Sequence, residues 1–416
     1  MAVFTAFFCG TGSNSFDFSN KDYHCGELIS SLARRCSGME FVDWIILDGP
    51  GSGNHQEDEK FVKPAYYSMA RGQAFGSGWE ENVAHAIAVV HGKPNWKRFY
   101  MDKKAYDILA QSFKGSGKEF HLNLEEEEEI IDPFSGFSET NYFAKRSVTQ
   151  QDLQEQKIKI FRKSKGPITQ INAIGWSRGG VTTHMFANAL YQDQTLRNIP
   201  VNIIAVDPVP GASNFQLHRT SIPQNVKNYV AFYAMDERSV GFTPTLPSWG
   251  KETQAHIYSL PGKHSTLVGN AGNFIDGNGE NRFFAPGMVV RMLSEKYLTS
   301  WGTKLDGCVP YSDATILSLY DEMLAQVEEF KKLHVKVYTT AQMIGSTRKV
   351  SVAQDWQQTY MSAVQLLNKD SLALGDSRFF INWHHKALFF QFGGFLNNTP
   401  ATKNVRAQIK RFLRNL

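Results

Sequence analysis

Ser177 sits in the stretch Gly175-Trp176-Ser177-Arg178-Gly179, a G-x-S-x-G pattern with an apolar run before it and a helical pattern after it. A serine hydroxyl is a weak nucleophile near neutral pH. It needs a histidine base, and that histidine needs a carboxylate to fix its tautomer and stabilise its charged form. The pattern supplies the steric part of such a site. When a strand turns abruptly into a helix, the serine is held at the apex, and the flanking positions must be small. The helix that follows aims backbone N–H groups at the same place. Without an acid and a base, the same residues would be a glycine-rich packing turn and nothing more.

In chains built around such a turn the order is serine, acid, histidine. Downstream of Ser177, Asp207 in "AVDPVPG" is the preferred acid, because it follows an apolar strand and is held by Pro208 and Pro210. Asp236 in "AMDERS" is the alternative acid; Arg238 beside it also suits a structural salt bridge. The preferred base is His264 in "YSLPGKHSTLVGN", in a loop between Gly262 and Gly269. Its rivals are His256 inside a strand, and His384 and His385 in "INWHHKALFF"; His184, two helical turns past Ser177, reads as packing. An oxyanion hole would take one donor from the backbone N–H of Arg178. A second would come from the loop Gly10-Thr11-Gly12, where glycine lets the backbone approach a ligand closely.

Positioning these groups requires strand ends. Apolar runs bounded by turn residues recur at "AVFTAFF", "FVDWIILDGPGSG", "ITQINAIGWS", "VNIIAVDPVPG", "VKNYVAFYAMDE" and "QAHIYSLPGKHS". Between them lie helical patterns, "GWEENVAHAIAVVHG" and "VTTHMFANALYQD". Such alternation predicts an α/β fold: a mostly parallel sheet with helices on both faces and functional groups at the carboxyl ends of the strands. A catalytic domain over 1–310 is interrupted by a polar, Glu-rich insertion at about 114–165, read as a solvated face or mobile insertion. Five adjacent carboxylates, Glu125 to Glu129, cannot converge on one cation without the loop geometry of a calcium motif, so no metal site is expected. A helical C-terminal region over 311–416 follows, a cap or lid packed on the catalytic domain. In it Ile316, Leu319, Met323 and Val327 share one face. Near the end Val405, Ile409, Phe412, Leu413 and Leu416 share another, with Lys403, Arg406, Lys410, Arg411 and Arg414 elsewhere. A basic amphipathic helix of this kind can meet a membrane surface, but its apolar side is expected to dock on its own domain.

Composition narrows the class. Hydrophobic residues make up 42% of the 416 and charged residues 20%, enough apolar content for a large core. The net charge of +4 is too small to argue for nucleic acid. Cys9, Cys25, Cys36 and Cys308 show no CxxC spacing, so reduced thiols are expected rather than a zinc site or a disulfide framework. "MAVFTAFFCGTGSN" lacks the basic start and cleavage site of a signal peptide and reads as the first strand. The expectation is synthesis in the cytoplasm without a cleavable signal, so that any export uses a specialised system.

Taken together and in order, these motifs resemble the bacterial α/β-hydrolase family that includes type VI secretion lipase effectors. That family opens with a strand ending F-F-D-G-T-G, here Phe7-Phe8-Cys9-Gly10-Thr11-Gly12. Its second glycine loop is similar to Gly49-Pro50-Gly51-Ser52-Gly53, and its elbow, G-F-S-R-G, to Gly175 through Gly179 with Trp176 in place of phenylalanine. Its later motifs are similar to Val206-Asp207-Pro208-Val209, to Ala234 through Ser239, and to Pro261 through Gly269. The likeness spans roughly residues 1–292; Cys9, Ser239 and Thr266 depart from it, standing for aspartate, arginine and aspartate respectively. The resemblance implies an α/β-hydrolase fold and a Ser177, Asp207 and His264 triad without a cofactor. It also implies action on lipid or phospholipid esters, and a secreted effector with an immunity or secretion partner. A soluble small-ester carboxylesterase, a catalytically inactive interaction module, and a peptidase or acyltransferase with the same triad remain as alternatives.

Overall fold

The computed structural model describes residues 2–52, 78–92, 123–131, 138–145, 157–162, 165–211, 216–237, 242, 244–247, 249–270, 283–307, 311–331, 351–352 and 401–414. The first half runs β1 (Val3–Phe8), α1 (Leu28–Arg34), β2 (Trp44–Leu47), α2 (Trp79–His91), β3 (Asn123–Ile131), β4 (Ser138–Lys145), β5 (Gln170–Trp176) and α3 (Arg178–Gln192). The second half runs β6 (Val201–Val206), α4 (Leu217–Thr220), β7 (Val226–Ala234), β8 (Thr245–Leu246), β9 (Gln254–Leu260), α5 (Phe284–Ser300), α6 (Asp313–Ala325), α7 (Val327–Lys331), β10 (Ser351–Val352) and α8 (Ala401–Arg414).

Six strands form one sheet in the order β2-β1-β5-β6-β7-β9, and every neighbouring pair is parallel. The α/β class read from the alternating pattern is the observed one. The strands are mainly apolar because both faces are covered, as parallel sheets require. Successive residues divide between two layers. Phe4, Ala6, Phe8, Ile171, Ala173, Ile203, Ala205, Tyr229, Ala231 and Tyr233 pack with α2 and α3. Phe7, Ile174, Ile204, Val206, Val230 and Phe232 pack with α1, α5, α6 and α8.

One polar line crosses the second layer. Asn172, Asn202 and Asn228 are register partners on β5, β6 and β7. Asn228 Nδ2 donates to Asn202 Oδ1 at 2.8 Å, and Asn202 Nδ2 to Asn172 Oδ1 at 2.9 Å. Asn172 Nδ2 then reaches Thr303 Oγ1 at 2.8 Å, which bonds Thr5 Oγ1 on β1 at 2.9 Å. A slip of one residue would turn these amides into the opposite, apolar layer without partners. The ladder therefore fixes the register of four adjacent strands.

Two elements differ from the sequence expectation or extend it. The run Glu125–Glu129 lies in β3, which pairs antiparallel with β4. Charge alone gave no strand pattern there, since five like residues have no alternation to read. The C-terminal helix docks on its own domain: Ile409 and Leu413 are buried in the second layer, and Phe412 stacks on Tyr297 with ring centres 3.6 Å apart. Arg406 forks onto both oxygens of Asp321 on α6 at 2.7 and 2.8 Å. On α6 the buried stripe is Ile316, Tyr320 and Met323, with Leu319 half-buried; Val327, expected on the same face, instead begins α7 and is half-buried. Val405 and Lys403 lie in a helix whose side chains there are outside the described residues, as are Leu416 and Cys308. Among the described residues no helix is long and apolar enough to cross a membrane.

Replacing Asn202 with Ala should lower unfolding stability by about 1–3 kcal/mol, because Asn228 Nδ2 loses its acceptor and the buried Asn172 Oδ1 loses one of its two donors. Urea denaturation measures this. A midpoint equal to the wild type would mean that the ladder carries no register energy.

Candidate active site

The strand order reverses between β1 and β5, since β1 has β2 on one side and β5 on the other. At such a switch point the loops leaving the two strands part and open a crevice at the carboxyl edge. Ser177 leaves β5 at this crevice and Gly10-Thr11 leaves β1 beside it. Ser177 has φ 56° and ψ −127°, a conformation strained for a residue with a Cβ. The turn is possible only because two backbones touch. A Cβ at Gly175 would overlap the carbonyl of Gly179, and one at Gly179 would overlap the carbonyl of Phe8. Three backbone hydrogen bonds hold the serine. Its N–H donates to Val206 O at 3.0 Å, and its carbonyl accepts from Val181 N–H at 3.3 Å and Val209 N–H at 3.1 Å. Ser177 is thus bonded on both sides to the segment that carries Asp207.

Asp207 ends β6 with φ 39° and is fully buried. Its N–H donates to Phe232 O at 2.7 Å, and its Oδ1 accepts Ala234 N–H at 3.1 Å. Its Oδ2 lies 2.6 Å from Nδ1 of His264. A carboxylate only accepts, so the hydrogen sits on Nδ1 and leaves the lone pair on Nε2. That Nε2 is buried and has no hydrogen-bond partner. The imidazole packs against both Trp176, tilted to it, and Phe242, edge-on to it, with each ring centre 5.0 Å away. Trp176 immediately precedes Ser177, so the ring rests on the serine turn itself.

Asp236 is placed differently from Asp207. Its Oδ2 accepts the N–H of Gly262 at 2.7 Å, and its own N–H donates to Gly262 O at 2.9 Å. Glu237 Oε2 accepts the backbone N–H of His264 at 3.3 Å. The two acids at the end of β7 brace the loop that presents the histidine. Glu237 and Phe242 were not singled out from the sequence. Glu237 falls within the Ala234–Ser239 stretch that carries the resemblance, though no role attached to it there, and Phe242 had no signal.

The other histidines fall elsewhere. His184 is buried with Nδ1 on Arg219 O at 2.9 Å and Nε2 on Tyr229 OH at 3.1 Å, and burial pushes it down to about 4. Both nitrogens are occupied, which fits packing. His256 lies in β9 against Tyr297, with its pKa lowered by burial and then by Arg411. His384, His385, Arg238 and Ser239 are outside the described residues.

The loop after β1 is pinned above the serine turn. Gly12 N–H donates to Pro50 O at 3.1 Å and Ser13 N–H to Gly10 O at 2.9 Å. Gly10 lies so close to the indole of Trp176 that a Cβ there would overlap it. Arg178 Nη1 donates to Thr11 Oγ1 at 2.8 Å, tying the start of α3 to this loop. Burial pushes the Arg178 guanidinium down to about 10. Among the described residues, the N–H groups of Gly10 and Thr11 donate to no other group.

Beneath the loop the charge is mostly acidic. Burial raises the Cys9 thiol well above its ordinary range, and Glu27, Asp48 and Asp17 push it further. A neutral thiol here adds no negative charge to the three acids already present. Glu27 is fully buried and caps α1, accepting the N–H groups of Ile29 at 2.9 Å and Ser30 at 2.8 Å. Burial pushes its carboxyl up to about 7, although those hydrogen bonds pull it down. Among the described residues no group of three or more His, Cys, Asp or Glu side chains is arranged to hold a metal ion.

No protein-family model matches the chain, and no curated protein matches it. Two solved structures show a weak likeness. One is an uncharacterized protein from Pseudomonas aeruginosa, at 13% identity and a TM-score of 0.44, over 100% of this chain and 62% of that one. The other is the Tle1 effector bound to the VgrG spike of the Type 6 secretion system, at 13% identity and a TM-score of 0.30, over 64% of this chain and 50% of that one. The chain therefore spans less than two thirds of the length of either. At this identity neither likeness assigns a family or an activity.

The buried carboxyl of Glu27 sets a pH dependence. Its folded-state pKa, about 7, is above its ordinary value of 4.5. Its contribution to stability is therefore full below about 4.5 and is lost as pH rises through about 7. Glu27→Gln should flatten the fall in unfolding stability across that window, by on the order of 3 kcal/mol. Chemical denaturation of both proteins from pH 4.5 to 8 checks it; parallel curves would mean that Glu27 titrates normally.

Proposed function

We propose that this protein is a serine hydrolase that cleaves carboxylic esters through an acyl-enzyme intermediate on Ser177. The observation that carries this reading is the buried Asp207–His264 hydrogen bond. It leaves Nε2 of the imidazole without a partner, on a ring packed against the residue before a strained serine. In the proposed reaction Nε2 takes the Ser177 hydroxyl proton as the oxygen attacks the ester carbonyl. The N–H groups of Arg178 and of the Gly10-Thr11 loop hold the resulting oxyanion. Collapse breaks the bond to the alkoxy group, which leaves with the proton from His264. The histidine then takes a proton from water as the water oxygen attacks the acyl carbonyl; collapse breaks the bond to Ser177 Oγ, which regains its proton from His264 as the acid is released. Asp207 fixes the tautomer and stabilises the imidazolium throughout. No cofactor enters this scheme.

Lipid esters, phospholipids among them, are the proposed substrates. The resemblance to the lipase-effector family supports this, together with the aromatic walls that Trp176 and Phe242 place around the imidazole. The same resemblance supports a role as an exported bacterial effector with an immunity or secretion partner. A small-ester carboxylesterase is the second reading, and one observation favours it. Ser177 is 4% exposed and His264 2% exposed, so a bulky substrate reaches them only if covering groups move.

Ser177→Ala should lower ester hydrolysis by about 10⁴-fold or more and abolish labelling by a fluorophosphonate, with an unchanged circular dichroism spectrum. Asp207→Asn should cost about 10⁴-fold in kcat, because the wrong imidazole tautomer is held. An active Ser177→Ala protein, or a wild type that the probe does not label, would overturn the assignment. Activity on a short p-nitrophenyl ester and on phospholipid vesicles separates the two substrate readings. A lipase gains activity at the vesicle surface, whereas a small-ester enzyme hydrolyses only the dissolved ester.

A further inference from the structure

A second cavity lies at the opposite edge of the sheet. Its volume is about 400 Å³, and its walls include Val90, His91, Arg162, Ile168, Leu196 and Ile199. Ile168 precedes β5 and Ile199 precedes β6, so the cavity opens at the amino ends of strands whose carboxyl ends carry Ser177 and Asp207. The seven residues of β5 separate the two places by roughly 23 Å at about 3.3 Å per residue.

Arg162 gives this cavity its chemistry. The residue is 6% exposed. Nη1 donates to Gly166 O at 2.9 Å and Nη2 to Val90 O at 3.4 Å, both neutral carbonyls. Nε is buried and has no hydrogen-bond partner. Among the described residues no carboxylate pairs with this guanidinium. Asp43, whose charge acts on it from a distance, is taken by Lys165. The other polar ring, His91, is held by Asp193 with Nε2 2.7 Å from Oδ2. Burying a charge against neutral partners is costly, and a guanidinium with donors left over suits a planar anion. Beside the polar groups of Arg162, His91 and Thr195, the side chains of Val90, Pro167, Ile168, Leu196 and Ile199 give the lining an apolar part that suits a hydrocarbon body next to the charge. At about 30 Å³ per small group, the space admits roughly a dozen non-hydrogen atoms.

We infer that this cavity binds a small amphipathic carboxylate, with its charged end on Arg162 and its hydrocarbon body against Ile168, Leu196 and Ile199. The site is independent of the ester chemistry at Ser177 and stands or falls separately.

Isothermal titration of the full chain with octanoate, octanol and octylammonium tests it. Octanoate should bind at one site per chain, at least about tenfold tighter than either of the others, since one charge-assisted hydrogen-bonded pair contributes that much. Arg162→Gln should weaken octanoate about tenfold or more. Ile199→Trp should block it by filling the cavity while leaving Arg162 in place. If Arg162→Gln does not fold, Ile199→Trp decides alone. Equal binding of octanol and octanoate, unchanged octanoate binding in Ile199→Trp, or no saturable binding in the millimolar range would overturn the proposal.

Discussion

A strand becomes a helix within one residue only where their backbones come into contact, and at Gly175 and Gly179 they do. That contact forces Ser177 to a φ of 56° and sets its side chain at the apex of the β5–α3 turn. The rest of the site is arranged around it. Hydrogen bonds from both sides of the serine tie it to β6 and to the residues just beyond, so the position of Asp207 follows from that of Ser177. The β1 loop lies over the same turn because Gly10 lets it rest on Trp176. Strain of this kind costs on the order of 1–3 kcal/mol per residue, and the surrounding sheet, buried on both faces, holds it in place.

Charge is managed by burial and by direct pairing. Asp207 uses both oxygens, one on a backbone N–H and one on His264, so its full burial is matched by hydrogen bonds. Asp236 and Glu237 spend their carboxylates on the backbone of the histidine loop. Beneath the Gly10-Thr11 loop the acids are crowded, and Cys9 adds no charge to them. On the far edge of the sheet the balance is reversed, with a buried guanidinium that, among the described residues, is hydrogen-bonded to two carbonyls and no carboxylate. The two edges of one sheet thus offer different chemistry, a base without a partner at one and a cation without a counter-ion, among the described residues, at the other.

The helical C-terminal residues bind to the same core as the sheet. Ile316, Tyr320, Met323, Ile409 and Leu413 share a layer with Val230 and Phe232. Its basic residues include Arg406, which is committed to Asp321. Among the described residues of α8, the apolar side chains Ile409, Phe412 and Leu413 are spent within the chain, as expected of an amphipathic helix that docks on its own core.

Some of this was legible in the residues alone. Short apolar runs bounded by turn residues, such as "VNIIAV", read as buried strands, and the glycines around Ser177 marked a tight turn. Asp207 and His264 were identifiable as types in loops at strand ends, and the structure brings them within 2.6 Å. Which acid would meet the ring was not decided by sequence, since Asp207 and Asp236 both end strands; the order β6-β7-β9 turns one toward the imidazole and the other toward Gly262. The asparagine ladder, the bracing by Glu237, the pairing of β3 with β4 and the Arg162 cavity were invisible for one reason. Each depends on residues far apart in the chain meeting at a fixed register, and a local pattern records a residue's own periodicity but not its neighbour across a sheet.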